Sequence, residues 1–324
     1  MRLVVLAGGY GGARFLRGLR QAAPDADITA VVNTGDDITL HGLRVCPDLD
    51  TVMYTLGGGL DEERSWGRAG ESFVVREELD AYGVGPSWFG LGDRDIATHL
   101  VRSQMLAAGY PLSDVTRALC SRWQPGVTLL PMSDDRVETH VVVDLPGAPP
   151  DGGRRAIHFQ EWWIRHGASL PAQAFLPVGA EQATPAPGVL EAIAAADAVL
   201  LPPSNPVVSV GIVLAVPGLR DAVREAPGPV VGVSPIVGGA PVRGMADACL
   251  SAIGVPVTAE AVGRHYGARS EGGLLDAWLV DAGAADAGAE VPGVTVAVRP
   301  LLMPDVPSAT ALAAATLEVV DAAR

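Results

Sequence analysis

The apolar run Leu3–Leu6 breaks off into AGGYGGARFLRGLR, and a second apolar run, Ile28–Val32, follows at the spacing of a strand, a crossover helix and a parallel strand. Runs this short and uniformly apolar predict strands buried on both faces, which occur in sheets covered by helices on both sides. The chain is therefore read as α/β, with a Rossmann-like, mostly parallel sheet. The pattern returns after Pro185 with a helix at Val189–Ala196, strands at Ala198–Leu201 and Val230–Val233, and a helix starting near Val210. A helix at Thr258–Tyr266, strands near Trp278–Val280 and Val294–Val298, and a closing helix from Ser308 as N-cap complete it. Residues 60–130 look helical instead (Ser72–Tyr82, Arg94–Gly109, Ser113–Arg122) and are predicted to be an inserted lobe. A smaller hairpin and aromatic segment is expected at about 138–165, with Glu138–Asp144 pairing to Ala156–Phe159 across a Pro/Gly-rich surface loop at 146–153. We read all 324 residues as one domain, long enough to bury roughly three quarters of the unfolded surface.

Open α/β sheets place ligands at the carboxyl ends of their strands, so the loops there are the candidate site. Gly8, Gly9, Gly11 and Gly12 permit close backbone approach, and a helix from about Ala13 would offer free N–H groups to a phosphate or diphosphate. The spacing is neither GxGxxG nor GxxxxGK[ST], and a tight turn without ligand is the alternative. Arg14, in the first turn of that helix, opposes the helix dipole and either serves an anion or is solvated. The second strand delivers Asn33, Asp36 and Asp37, and Asp48 and Asp50 follow behind Pro47, at or near the cap of a helix over Leu49–Leu56. Carboxylates brought together repel and call for a cation, a shared proton or a donor. Mg2+ is the natural candidate, since it takes few protein carboxylates and completes its octahedron with water and phosphate oxygens. The plainer alternative is that these are turn and cap aspartates.

Three further stretches are chemically pointed. In WFGLGDRDIATH, Asp93 or Asp95 can cap a helix from which Arg94 and His99 project, while Trp88 and Phe89 form either a core plug or a flat face for an aromatic ligand. In PPSNPVVSVG, Ser204, Asn205 and Ser209 face the sheet edge of the glycine loop, as do Ser234, Gly238, Gly239 and Arg243 of SPIVGGAPVRG. Ser234 is not a hydrolase nucleophile, because Pro235 removes an oxyanion N–H and the second glycine of GxSxG is missing. HFQEWW (His158–Trp163) reads as an aromatic cluster, and His140 and His158 lack the spacing of a zinc site.

Composition narrows the partners. A net charge of −14 argues against nucleic acid. Three scattered cysteines without CxxC indicate a reducing compartment, and no apolar run reaches the ~20 residues of a membrane helix. A cytoplasmic protein is expected.

The motifs LAGGYGGARFL, VVNTGDD, CPDLDTVMYTLGGG, WFGLGDRDIATHL, PMSDD, HFQEWW, PPSNPVVSVG and SPIVGG, in this order, resemble the 2-phospho-L-lactate transferase family of coenzyme F(420) biosynthesis. The versions here are most similar to its bacterial phosphoenolpyruvate transferase branch. The resemblance implies transfer of a phosphoenolpyruvyl group from a guanylyl-diphospho donor (enolpyruvoyl-2-diphospho-5'-guanosine) to the ribityl hydroxyl of the deazaflavin Fo, releasing GMP. A 2-phospho-L-lactyl donor is the alternative. It implies Mg2+ on Asp36 and Asp48, Asp50 near the Fo hydroxyl, the nucleotide over Gly8–Gly12 and the PPSNP and SPIVGG loops, and a homodimer. Two other classes are a nicotinamide-dependent oxidoreductase, weakened by the imperfect glycine fingerprint, and a non-catalytic deazaflavin or nucleotide binder.

Overall fold

The computed structural model describes residues 1–144 and 153–324; the surface loop expected at 146–153 lies, but for its last residue, outside them. The chain opens with β1 (Arg2–Ala7), α1 (Gly9–Ala22) and β2 (Asp27–Val32), then a short hairpin, β3 (Ile38–Leu40) and β4 (Leu43–Val45), before α2 (Pro47–Leu56). Helices α3 (Val74–Ala81), α4 (Asp93–Ala107) and α5 (Leu112–Trp123) lead into β5 (Thr128–Pro131). A three-stranded antiparallel sheet follows, β6 (Glu138–Asp144), β7 (Arg154–His158) and β8 (Ala172–Val178), with β6 in the middle. Next come α6 (Val189–Ala194), β9 (Ala198–Leu201), α7 (Val210–Ala215), α8 (Leu219–Arg224) and β10 (Val230–Val233). A two-residue-strand hairpin, β11 (Ile236–Val237) and β12 (Ala240–Pro241), precedes α9 (Ala246–Ala252) and α10 (Ala259–Tyr266). The chain closes with β13 (Ala277–Asp281), β14 (Thr295–Arg299) and α11 (Val306–Ala322).

The main sheet has seven strands in the order β14-β13-β10-β9-β1-β2-β5, every neighbouring pair parallel. It is the Rossmann-like α/β sheet expected. Strand side chains alternate between faces, so Leu3, Val5 and Ala7 join α1, α2, α5 and α11 in one core. Val4 and Leu6 join α6 to α10 in the other. Six strands escaped sequence reading: β5, β8 and the four short hairpin strands β3, β4, β11 and β12. Residues 128–131, TLLP, sit at the sheet edge, where a proline is tolerated and the apolar run is too short to stand out. Helix α5, placed with the inserted lobe by its sequence, covers the sheet through Leu112, Val115 and Leu119.

Two helix starts differ from expectation. Helix α1 begins at Gly9, with Gly8 as N-cap, so Arg14 lies in the second turn. Asp305, not Ser308, caps α11, accepting the Ser308 N–H at 2.8 Å. Helices α1 and α11 cross at Gly18, where a Cβ would stand 2.2 Å from the carbonyl oxygen of Ala309. Gly18→Ala should therefore push α11 outward and destabilise the protein by roughly 1–3 kcal/mol, the usual cost of overpacking. Denaturant unfolding checks this, and an unchanged midpoint would contradict the close crossing.

Candidate active site

Strand β1 continues to β2 and β5 on one side, while its other neighbour β9 continues to β10, β13 and β14, so the order in which strands are added reverses between β1 and β9 although the two are parallel. The crevice at this switch point lies between the start of α1 and the loop 202–209. Contact there is close. A Cβ on Gly8 would stand 2.6 Å from Ser209 Cβ and 2.9 Å from Asp48 Oδ2, one on Gly11 2.4 Å from the Pro203 carbonyl, and one on Gly12 2.8 Å from Ser204 Oγ. Gly9 takes a φ of 62°, favoured only by glycine, and its N–H hydrogen-bonds the Asp48 carboxylate. Gly11 and Gly12 are thus needed for packing against the 203–204 segment, whereas Gly8 and Gly9 border a carboxylate.

The four aspartates, all buried, divide by their partners. Asp37 has Arg44, whose Nη2 lies 3.1 Å from Oδ2, and Asp50 is paired with Arg102, itself only 1% exposed. Among the described residues Asp36 and Asp48 have no such cation. Burial raises Asp36 well above the usual carboxylate range, and the Asp48 charge raises it further. Burial pushes Asp48 up to about 6, against the lowering effect of its hydrogen bonds from Asn33 (Nδ2 to Oδ2, 2.9 Å) and Gly9. Asp36 Oδ1 is buried with no hydrogen-bond donor among the described residues. Neither carboxylate caps α2. Cys46 holds the cap position, and Asp48 and Asp50 sit within the first turn behind Pro47.

Elements remote in sequence fix this loop. His158 Nδ1 accepts the Gln160 N–H at 3.1 Å, so the ring proton sits on Nε2 and is donated to the Asp37 carbonyl at 3.2 Å. Gln160 Nε2 approaches the Asp36 carbonyl at 3.4 Å, and the Thr139 N–H donates to Gly35 at 2.6 Å. HFQEWW is therefore two things at once. Phe159 and Trp162 fill a core beneath the three-stranded sheet, while His158 and Gln160 brace the aspartate loop. His140 faces His158 across β6 and β7 with ring centroids 5.7 Å apart, but no three potential metal ligands of the His, Cys, Asp or Glu type converge among the described residues.

On the other side, α4 sends a buried polar chain toward α2. Arg102 donates to Asp50 and lies 3.0 Å from His99 Nδ1, which must accept, leaving the His99 Nε2 proton facing Asp95 Oδ2 at 3.3 Å. Tyr54 donates to Asp95 Oδ1 at 2.6 Å. Burial works against the Asp95 charge, but the neighbouring His99 ring and the Tyr54 hydrogen bond hold its pKa below the ordinary value. Sequence reading missed Arg102 and Tyr54, since nothing local marks an arginine in mid-helix as the partner of a residue 52 positions away.

The remaining candidates fall in different places. Ser204 Oγ donates to the Gly8 carbonyl at 2.8 Å, tying the 204 loop to α1, and Asn205 Oδ1 accepts the Val207 and Val208 N–H groups while its side chain also hydrogen-bonds the Cys249 thiol. Ser234 is buried in its own turn, donating to the Ile236 carbonyl and accepting its N–H. Gly238 and Gly239 form the β11–β12 turn at positive φ, and the Gly238 N–H is taken by Asp286. Asp93 caps α3 rather than its own helix, accepting from Val74 and Val75, while Glu71 receives the first N–H groups of α4. Arg94 is exposed beside Gly70. Trp88 meets Phe89 edge to face at 6.0 Å, and Phe89 borders a cavity of about 190 Å³ lined also by Leu43, Leu79, Leu91 and Ile96.

Asp37 illustrates the energetic consequence. Its pKa is raised from 3.8 to about 6, first by burial, with Arg44 pulling the other way. A raised carboxylate contributes stability that is fully present below its unfolded pKa and lost as pH rises through its folded one. The stability difference between parent and Asp37→Asn should thus move in favour of the variant as pH rises from 4 to 8. Parallel melting curves across that range would contradict the assignment.

The family described as 2-phospho-L-lactate transferase CofD matches residues 3–292. A protein of Streptomyces griseus named phosphoenolpyruvate transferase is 66% identical over 326 residues, covering 100% of both chains. Proteins of the same name from Nocardia farcinica (60%, covering 98% of this chain and 94% of the relative) and Mycobacterium avium (59%, 96% of each) are also similar. A crystal structure of a Bacillus halodurans protein described as a member of the UPF0052 family superposes with a TM-score of 0.61 over 97% of this chain and 99% of that one, at 18% identity, a likeness of fold. No helix among the described residues is long and apolar enough to cross a membrane. The chain belongs to the 2-phospho-L-lactate transferase CofD family.

Proposed function

We propose that this protein is the coenzyme F(420) transferase that moves a phosphoenolpyruvyl group from enolpyruvoyl-2-diphospho-5'-guanosine to the ribityl hydroxyl of Fo. The observation that carries the reading is the Asp36–Asp48 pair: two buried carboxylates at a topological switch point, without the arginine that each neighbouring aspartate has. Such a pair suits a divalent cation, and magnesium is bound by one or two carboxylates together with substrate phosphates. The orphaned Asp36 Oδ1 is a free acceptor for it. When bound, magnesium would neutralise charge on the diphosphate and its leaving oxygen.

In this reading the ribityl oxygen attacks the phosphorus that bears the enolpyruvyl group. The bond from that phosphorus to the bridging oxygen breaks, GMP leaves with the electron pair, and the hydroxyl proton is released. Phosphoryl transfer through a loose transition state depends on positioning and charge neutralisation more than on a strong base. The chain supplies the first. Gly8, Gly9 and the start of α1 hold the diphosphate, with the loop at Ser204 and Asn205 beside them. Asn33, His158 and Gln160 hold the Asp36–Asp48 geometry. Fo lies toward Asp50 and the Trp88–Phe89 loop, with Arg102 keeping Asp50 in place. The enolpyruvyl rather than lactyl group is favoured by the name shared by relatives 59–66% identical.

Asp48→Asn should lower turnover by roughly a hundredfold to a thousandfold, the scale of losing one electrostatic contact to a transition state, while melting no earlier than the parent. Full activity in that variant would remove the metal assignment. Protons and magnesium should also compete for the same pair. Because Asp36 is raised well above the usual range and Asp48 to about 6, stabilisation by magnesium should be larger at pH 8 than at pH 5.5. Equal thermal shifts at both pH values would count against it. Mass spectrometry of the product formed from mixed enolpyruvyl and lactyl donors distinguishes the two groups, which differ by two hydrogens.

A further inference from the structure

Arg14 is a cation in the second turn of α1. Its side chain runs back toward the helix start, as helical side chains do, donating from Nη1 to Tyr10 OH at 3.2 Å, with the guanidinium carbon 5.3 Å from the Tyr10 ring centroid. Nη2 donates to the Pro304 carbonyl at 2.6 Å. A second guanidinium reaches the same ring from a distant part of the chain. Arg243, just past β12, lies 4.8 Å from that centroid, and its Nη2 donates to the Arg64 carbonyl at 3.3 Å. Among the described residues neither arginine pairs with a carboxylate within 4.0 Å, Asp305 being near enough for Arg14 to lower its pKa but held by Ser308, although the chain holds 37 acidic side chains against 23 basic ones. Arg14 Nε is buried and has no acceptor.

Two guanidiniums held against one ring repel each other, and an anion supplied from outside relieves that repulsion. Guanidinium presents a planar fork matched to carboxylate and phosphate alike. The phosphates of the donor already have the amino end of α1 and the Asp36–Asp48 pair. What remains anionic on the donor is the carboxylate of its three-carbon acid. Tyr10 is the second residue of α1, one residue beyond the Gly9 N–H that bonds Asp48, so the two anionic groups of one small donor can be held side by side. We propose that Arg14 and Arg243, gathered by Tyr10, form an anion subsite that takes the carboxylate of the three-carbon acid. This assignment of the occupant rests on the transferase reading above.

Arg243 is exposed, so it can be changed without disturbing the core. Arg243→Gln in the full chain should lower kcat/KM for enolpyruvoyl-2-diphospho-5'-guanosine at least tenfold. The affinity for GDP, which has no carboxylate, measured calorimetrically with magnesium present, should stay within twofold. Arg243→Lys, a charge without the fork, should recover part of the loss. An equal fall in GDP affinity would overturn the carboxylate assignment and place a phosphate there. Unchanged kcat/KM in Arg243→Gln would overturn the subsite. A parent protein that binds GDP yet forms no phosphodiester from this donor and Fo would overturn the transferase reading itself, and the occupant with it.

Discussion

Two carboxylates, Asp36 and Asp48, are held together out of water with no basic side chain among the described residues paired to them. The surrounding architecture is arranged around that repulsion. Their neighbours Asp37 and Asp50 show what the fold does when an aspartate is to be balanced internally: it brings up Arg44 or Arg102. Burial alone raises Asp36, Asp37 and Asp48, but at Asp37 the Arg44 charge opposes it, whereas at Asp36 the Asp48 charge adds to it. In our account that repulsion is offset when a cation and a diphosphate arrive, so binding and catalysis draw on the same electrostatic imbalance.

The supports of the pair come from both sides of the sheet. From one side, β7 and the turn after it reach over with His158 and Gln160 to hold the backbone of the aspartate loop. From the other, the helical insertion sends Arg102, His99 and Asp95 down onto α2. Partners 121 and 52 residues away therefore fix neighbouring aspartates. Buried polar chains of this kind are strongly coupled internally, and removing one member leaves the next unsatisfied. An aspartate loop held at both ends is positioned to a degree that turn chemistry alone cannot supply.

Much of this was legible beforehand because it is periodic or local. Uniform apolar runs such as Leu3–Leu6, Ala198–Leu201 and Val230–Val233 announced strands buried on both faces, and they are central or near-central in the sheet. The aspartates of GDD and PDLD converge as their positions at strand and helix ends suggested. What escaped was edge structure and long-range pairing. Strand β8 alternates only weakly and ends beside a proline, so its pairing to β6 depends on a tertiary partner. Glycines drew attention as phosphate loops, but Gly11 and Gly12 answer to the Pro203 carbonyl and the Ser204 hydroxyl, neither of which is visible until the fold brings them near. Asp93 likewise looked like a cap and is one, though for the preceding helix.

We propose that one divalent ion joins Asp36 and Asp48 to the nucleotide diphosphate. Manganese can stand in for magnesium on oxygen ligands, and its anomalous scattering locates it without ambiguity. A crystal of the GDP complex grown with manganese should show one anomalous peak within bonding distance of an oxygen from Asp36, an oxygen from Asp48 and the diphosphate. GDP bound in the crevice with no peak between the two carboxylates would contradict the account.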